Sequence, residues 1–313
     1  MAESVEIELL AFESMGVRSM ATIVRTRDVI IAIDPSAALA PRRFGLPPHM
    51  LEAKALLEAF RIIEDRVRDC DIVIVTHYHY DHHDPGKFMD LSVLKGKKLV
   101  IKNPSARINA SQRARAYRFL KLVRGLVSEI SVGDGTEISI GRTRITISSP
   151  VPHGESPRLG YVLEICIDDG EERMLFTSDI EGAPLPQQIE PFYSCKPRIA
   201  VVDGPPTYLA GYKFGTSSLE QSIANLAKVV EEPWLETMVL DHHSARELEF
   251  KEKMMPLFEK ATKLGKRILL ASQFMGREPL LLEARRRDLF KEDPSDGLRI
   301  LKANTNITDL EEY

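Results

Sequence analysis

The twelve residues 72–83 constrain this chain more than any others. Ile72-Val73-Ile74-Val75 is a short apolar run of β-branched residues, the pattern of a strand buried on both faces. It passes at Thr76 straight into His77-Tyr78-His79-Tyr80-Asp81-His82-His83, which holds four of the chain's eight histidines. A strand that ends in this way presents its side chains at an open sheet edge. Neutral imidazole nitrogen and carboxylate oxygen are the donors that a borderline metal such as zinc prefers. In the spacing His77-x-His79-x-Asp81-His82, residues 77 and 79 can point to one ion, while Asp81 and His82 can point to a second.

Further candidates follow other apolar strands. His153 lies in Pro152-His153-Gly154 after the strand expected over 144–149, and Asp179 lies in Thr177-Ser178-Asp179 after 174–177. His242 and His243 follow 237–240 within Asp241-His242-His243-Ser244. Taken singly each is an ordinary loop residue; together they complete the ligands of a two-metal site. His49, behind two prolines, is given no metal role.

The pattern around them alternates. Strands are expected over 5–12, 20–26, 29–33, 72–75 and 99–101, then over 137–140, 144–149, 160–167 and 174–177. Later strands are expected over 199–202, 237–240 and 267–271. Helices are expected over 51–68, 111–126, 218–230, 246–264 and 278–290, where apolar residues recur at three- and four-residue steps. Two sheets packed face to face with helices outside follow from that order, as one continuous domain over 1–313.

Composition removes several classes. No apolar run approaches the roughly 18–20 residues of a membrane span. Residues 1–8 carry three acids and no base, which is not a signal peptide, and a cytoplasmic location is expected. The net charge of −4 argues against general affinity for nucleic acid. Cys70, Cys166 and Cys195 are scattered and odd in number, so reduced thiols and no thiolate metal cluster are expected. Only five Asn and five Gln accompany 28% charged residues, a bias of heat-adapted chains.

The run His77-Tyr78-His79-Tyr80-Asp81-His82 resembles the H-x-H-x-D-H signature of the metallo-β-lactamase superfamily, and the later His, Asp and His appear in that family's order. The segment 39–48, Leu-Ala-Pro-Arg-Arg-Phe-Gly-Leu-Pro-Pro, is similar to an archaeal group of the superfamily whose substrate is unassigned. The resemblance implies an α+β fold, the four-layer αβ/βα sandwich, with a dinuclear site at one edge of both sheets. Carried over by position, one metal takes His77, His79 and His153. The other takes Asp81, His82 and one of the 242–243 pair, and Asp179 bridges them. His242 is preferred, because His242-His243-Ser244-Ala245-Arg246 resembles the His-Phe-Ser-x-Arg ending of the superfamily's tRNA 3′-end endonucleases, in which the first His is the ligand. Asp34, in Ile33-Asp34-Pro35, resembles the first motif, which orients ligands from behind. Two Zn2+ are the default, with Mn2+ or Fe2+ as alternatives; His at position 79 departs from the glutamate of redox di-iron members.

Two dications lower the pKa of a bridging water, so the expected chemistry is hydrolysis by a metal-bridging hydroxide. Asp81 is expected to hold the water's proton and His243 to protonate the leaving group. The substrate is expected to be a small ester, lactone, thioester or phosphoester. The alternative is a phosphodiesterase or nuclease acting on RNA or DNA, because residues 91–128 contain ten Lys or Arg and no Asp or Glu. Arg42 and Arg43, on the proline-stiffened loop 35–48, are expected to grip a substrate anion if that loop folds over the metal edge, and 203–208 to line the pocket. Adjacent residues of an extended segment face opposite ways, so only one of His242 and His243 is expected to reach the metals. The other is expected to titrate near pH 7.

Overall fold

Alternation within each strand fixes how the layers stack. The computed structural model describes residues 5–304. The first sheet runs β1 (Glu6–Phe12), β2 (Met20–Arg25), β3 (Ile30–Ile33), β4 (Ile72–Val75), β5 (Lys98–Ile101) and β6 (Glu129–Val132), in that spatial order. β1 to β3 form an antiparallel meander, and β3 to β6 are parallel. The second half opens with the hairpin β7 (Glu137–Ile140) and β8 (Thr143–Ile147), followed by a small ribbon, β9 (Val151–Pro152) and β10 (Tyr161–Val162). β11 (Ile165–Asp168), β12 (Arg173–Phe176), β13 (Ile199–Val202), β14 (Thr237–Leu240) and β15 (Arg267–Leu269) complete the second sheet. Its order is β15-β14-β13-β12-β11-β8-β7, parallel from β12 to β15.

In β4, Ile72 and Ile74 face the other sheet, where they meet Ile165, Phe176, Val201 and Val239. Val73 and Val75 face outward, against Leu56, Phe60 and Ile63 of α1 (Met50–Arg68) and Phe119 and Val123 of α2 (Ala110–Val123). Across the molecule, Leu175, Ala200, Val202 and Met238 face α3 (Pro186–Cys195), α4 (Thr216–Glu231) and the pair α5 (Phe250–Lys253) and α6 (Met255–Lys263). The result is helix–sheet–sheet–helix, the αβ/βα sandwich. Parallel strands covered on both faces are apolar throughout, which is why 72–75 carries no polar alternation. Among the described residues no helix is long and apolar enough to cross a membrane.

Several expectations need correction. β6 was not foreseen: it is an edge strand whose residues are all exposed or half-buried, so it lacks an apolar run. The stretch 160–167 is two strands, because it leaves the ribbon at Val162 and joins the second sheet at Ile165. The helix expected over 246–264 is broken at Met254, with Pro256 starting its second half. In place of the helix expected over 278–290 there is a shorter and later one, Arg286–Glu292. The residues before it are spent on long-range contacts: Leu280 N–H donates to the Ser14 carbonyl, and Glu283 takes both nitrogens of a fork from Arg18 at 2.7 Å. α3 carries Pro186 and Pro191 and was missed for that reason. Its last residue, Cys195, is disulfide-bonded to Cys166 on β11, with Cα atoms 5.9 Å apart. The expectation of three reduced thiols is therefore wrong; only Cys70 is free, and it is buried. The pairing was invisible because it depends on α3 packing over β11.

Candidate metal centre

The strand ends β3, β4, β12 and β14 deliver their side chains to one edge. Asp34 and Ser178, just past β3 and β12, both take left-handed backbone angles, φ 47° and 56°. That conformation is uncommon without glycine, and here it turns the chain sharply across the edge. Asp34 is fully buried and acts as a bracket. Its Oδ1 accepts the Thr76 N–H at 2.7 Å, and its Oδ2 accepts the Thr76 hydroxyl at 2.6 Å and faces His82 Nδ1 at 2.7 Å. With its Nδ1 side committed to Asp34, His82 turns Nε2 inward.

Two clusters meet at Asp179. In the first, His77 Nε2 lies 3.1 Å from His79 Nδ1 and 3.7 Å from Asp179 Oδ2, and His153 Nε2 lies 3.2 Å from the same oxygen. In the second, Asp179 Oδ1 lies 3.1 Å from His82 Nε2 and 3.7 Å from His242 Nε2. Asp81 Oδ1 is 4.0 Å from His82 Nε2, and its Oδ2 is 3.5 Å from His242 Nε2. Ligands about 2.1 Å from a tetrahedral zinc are roughly 3.4 Å from one another, so both sets have the spacing of a metal cage. The four-residue clusters are His77, His79, His153, Asp179 and Asp81, His82, Asp179, His242; two three-residue groups, Asp34-His77-His82 and Asp179-Asp203-His243, overlap them. His82 Nε2 and Asp179 Oδ1 are buried and, despite their closeness, make no hydrogen bond. Buried polar atoms left in that state are costly and suit a shared cation.

The electrostatics agree. Burial pushes the imidazoles of His77 and His243 well below their ordinary range and that of His79 to about 3, so each is neutral with a lone pair to give. Burial alone would raise the Asp81 and Asp179 carboxyls, but His82 and then His242 hold both well below the usual range. Against burial, Asp179, Asp34 and Asp81 lift His82 above its ordinary value. Against burial and Arg246, Asp179 and Asp81 raise His242 as well. The carboxylates and the neutral His77 and His79 are therefore already in the state that binds a metal, whereas His82 and His242 must each give up a proton to do so.

His242 and His243 do not face opposite ways. His243 has helical angles, φ −75° and ψ −37°, so the chain has already turned, and the two rings pack 4.6 Å apart. Both reach Asp179: His243 Nε2 is 3.7 Å from its Oδ2. They differ in their other contacts. His243 Nδ1 is 2.9 Å from Asp203 Oδ2, whereas His242 Nε2 accepts from the Arg246 guanidinium at 2.8 Å. Nor is His243 placed to titrate near pH 7, since burial keeps it neutral. His49 caps the N-terminus of α1, accepting from Leu51 N–H, and is far from this chemistry in role.

A cleft of about 260 Å³ opens over the clusters, lined among others by Arg18, Tyr80, Arg115, Tyr208 and Arg246. Arg42 and Arg43 do not line it, contrary to expectation. Arg42 is exposed, and Arg43 is clamped between the rings of Phe44 and Tyr208, donating to the Arg246 carbonyl at 2.9 Å. Of the segment 203–208, Tyr208 lines the cleft and Asp203 stands behind His243. Sequence reasoning missed Gln112, whose Nε2 is 3.4 Å from His79 Nε2, and the wall arginines 18, 115 and 246. A larger hollow of about 640 Å³, between β8–β11 and α3, contains none of the clustered ligands.

Known proteins match this chain over most of its length. The profile of a β-lactamase superfamily domain matches residues 31–233. A UPF0282 protein of Metallosphaera sedula is 46% identical over 291 residues, covering 93% of this chain and 94% of that protein. A UPF0282 protein of Sulfolobus acidocaldarius is 44% identical over 289 residues, covering 92% and 93% respectively. The crystal structure of the metallo-beta-lactamase fold protein YhfI from Bacillus subtilis aligns with 14% identity and a TM-score of 0.49, over 84% of this chain and 90% of that one.

Proposed function

The chain belongs to the β-lactamase superfamily and, within it, to the archaeal UPF0282 group, as a metal-dependent hydrolase of the metallo-β-lactamase type, and on that premise we propose that it works through a dinuclear centre. One observation carries this reading: the two oxygens of Asp179 serve different clusters, Oδ2 toward His77 and His153, Oδ1 toward His82 and His242. A single carboxylate shared in this way is the arrangement of a bridge between two ions. His77, His79 and His153 would hold one divalent cation, and Asp81, His82 and His242 the other, with Zn2+ the first candidate. When bound, such a pair acidifies a water between the ions and polarises the substrate oxygen.

The remaining steps fall to the chain itself. Asp81, ionised and largely buried at the cleft floor, would orient a water by accepting its hydrogen bond and relay its proton onward. His243 presents Nε2 to the cleft while Asp203 holds its Nδ1 side. Because burial keeps His243 neutral, it carries no second proton at rest; it receives one and passes it to the leaving group within a turnover, while Asp203, whose carboxyl burial pushes up, orients the ring through Nδ1. The buried floor and the narrow cleft exclude bulk water, which strengthens these contacts. The substrate classes compatible with this set are small esters, lactones, thioesters and phosphoesters. A nucleic-acid phosphodiester is the second reading, favoured by the approach of the basic helix α2 to the centre through Gln112 and His79.

Metal analysis of the purified protein, with hydrolysis of chromogenic phosphodiesters, esters and lactones before and after chelation, tests the proposal. About two ions per chain and chelator-sensitive hydrolysis are expected. A protein that hydrolyses nothing when fully loaded, or works unchanged without metal, refutes it.

A further inference from the structure

Three guanidinium groups line the cleft, and they are not equivalent. Arg18 is matched by Glu283, which takes its Nε and Nη2 at 2.7 Å each. Arg246 donates from Nε to Glu13 at 3.0 Å and from Nη2 to His242. Arg115 is different. It is half-buried, lies 4.3 Å over the ring of Tyr80, and among the described residues donates a hydrogen bond only to the Tyr78 carbonyl, at 3.5 Å. No carboxylate among the described residues pairs with it. Tyr80 sits between the metal-cluster residues His79 and Asp81, so this guanidinium is fixed by a platform within the site itself. The same ring has Lys87 Nζ 5.6 Å away, and its hydroxyl lies 3.4 Å from Arg118 Nη1.

A half-buried guanidinium with no carboxylate beside it keeps its charge available to an anionic ligand. Neutral esters, lactones and thioesters supply none at the reacting group. A phosphodiester does: its two non-bridging oxygens match the planar fork of arginine, and one of them remains for the protein after the other is engaged elsewhere. From Arg115 the helix carries Arg118 and Lys121 at successive three-residue steps, both exposed, so positive charge continues out of the cleft along α2.

We propose that the substrate is a phosphodiester and that Arg115, held on Tyr80, grips a non-bridging oxygen of the phosphate undergoing attack, with the rest of the substrate leaving along α2. The proposal rests on the hydrolase reading above. Water adds to phosphorus, the bond from phosphorus to the leaving oxygen breaks, and a proton from the water passes to that oxygen. The products are a phosphate monoester and an alcohol. Arg115 neither gives nor takes a proton; it sets which substrate is accepted.

The test compares Arg115→Ala and Arg115→Lys with the natural protein on bis(p-nitrophenyl) phosphate and p-nitrophenyl acetate, and titrates inorganic phosphate into the zinc-loaded proteins by calorimetry. Loss of a charge-assisted hydrogen bond is worth roughly ten- to a hundred-fold. In Arg115→Ala, kcat/KM for the diester should fall by that factor relative to the acetate, mainly through KM, and phosphate affinity should weaken similarly. Arg115→Lys, which keeps the charge and loses the fork, should fall between. Equal losses on both substrates, unchanged phosphate affinity, or a natural protein that cleaves the acetate and not the diester overturns the proposal. A protein that cleaves neither while holding its metals fails as a hydrolase instead, and the phosphate titration then decides whether Arg115 is an anion site.

Discussion

Asp34→Asn isolates the bracket behind the second cluster. Removing the side chain altogether is too severe. Asp34→Ala abandons three buried donors, the Thr76 N–H, the Thr76 hydroxyl and His82 Nδ1, at about 1–3 kcal/mol each, a sum that approaches the whole stability of many domains. The amide keeps the volume and still accepts the Thr76 N–H. Its NH2 group then faces His82 Nδ1, which must become an acceptor, so the ring proton moves to Nε2 and blocks the lone pair aimed at Asp179. Flipping the amide to restore the His82 contact sets an NH2 against the Thr76 N–H, at a cost of about 1–3 kcal/mol. Outer contacts of this kind are worth about ten- to a hundred-fold in metal affinity. At free zinc about ten times the natural dissociation constant, the second site should fall from about 0.9 occupied to between about 0.5 and 0.1, while the first stays full. Metal per chain, measured after equilibration in a zinc buffer, should drop from about 1.9 to between about 1.5 and 1.1. An Asp34→Asn variant with the natural occupancy at every buffered zinc concentration refutes the bracket.

Further outcomes follow from the geometry. Asp179→Ala removes the carboxylate common to both clusters, so it should depress both occupancies, measured by elemental analysis; loss of a single ion would deny the bridge. His242→Ala should lower second-site occupancy, whereas His243→Ala should leave metal content alone and slow turnover, with the reverse metal pattern exchanging the two assignments. Burial pushes the Cys70 thiol up to about 12, so at pH 8 it stays protonated and should resist iodoacetamide in the folded protein, becoming reactive only as pH climbs toward that value. One free thiol should be counted after unfolding without reductant and three after reduction. Breaking the 29-residue link of Cys166 to Cys195 should cost about 3.5 kcal/mol by loop entropy, read from denaturant midpoints.

What the sequence made legible was local. The ligands of 77–83 sit within seven residues after a strand that announces itself, and the lone His153, Asp179 and His242 each follow an apolar run, so strand ends and donor chemistry sufficed to nominate them. What escaped was decided at a distance. Arg43 and Arg115 look alike as residues in basic segments; only packing seats one between Phe44 and Tyr208 and the other over Tyr80 beside the cluster. β6 was hidden because an edge strand needs few apolar residues, and α3 because its prolines mimic a loop. The disulfide depended on that unseen helix. The pair 242–243 failed differently: the rule of opposite faces was sound for a strand, but the strand had ended at Leu240.

Neither cluster is complete within one half of the chain. His77, His79, Asp81 and His82 come from the loop after β4, while His153, Asp179 and His242 come from beyond β9, β12 and β14. The centre is therefore a clasp as well as a workplace, closing only when two separately hydrogen-bonded sheets have docked in register. Any cation it holds binds the docked state alone, and each site filled at a hundred times its dissociation constant adds about 2.7 kcal/mol to the docked state over the parted one.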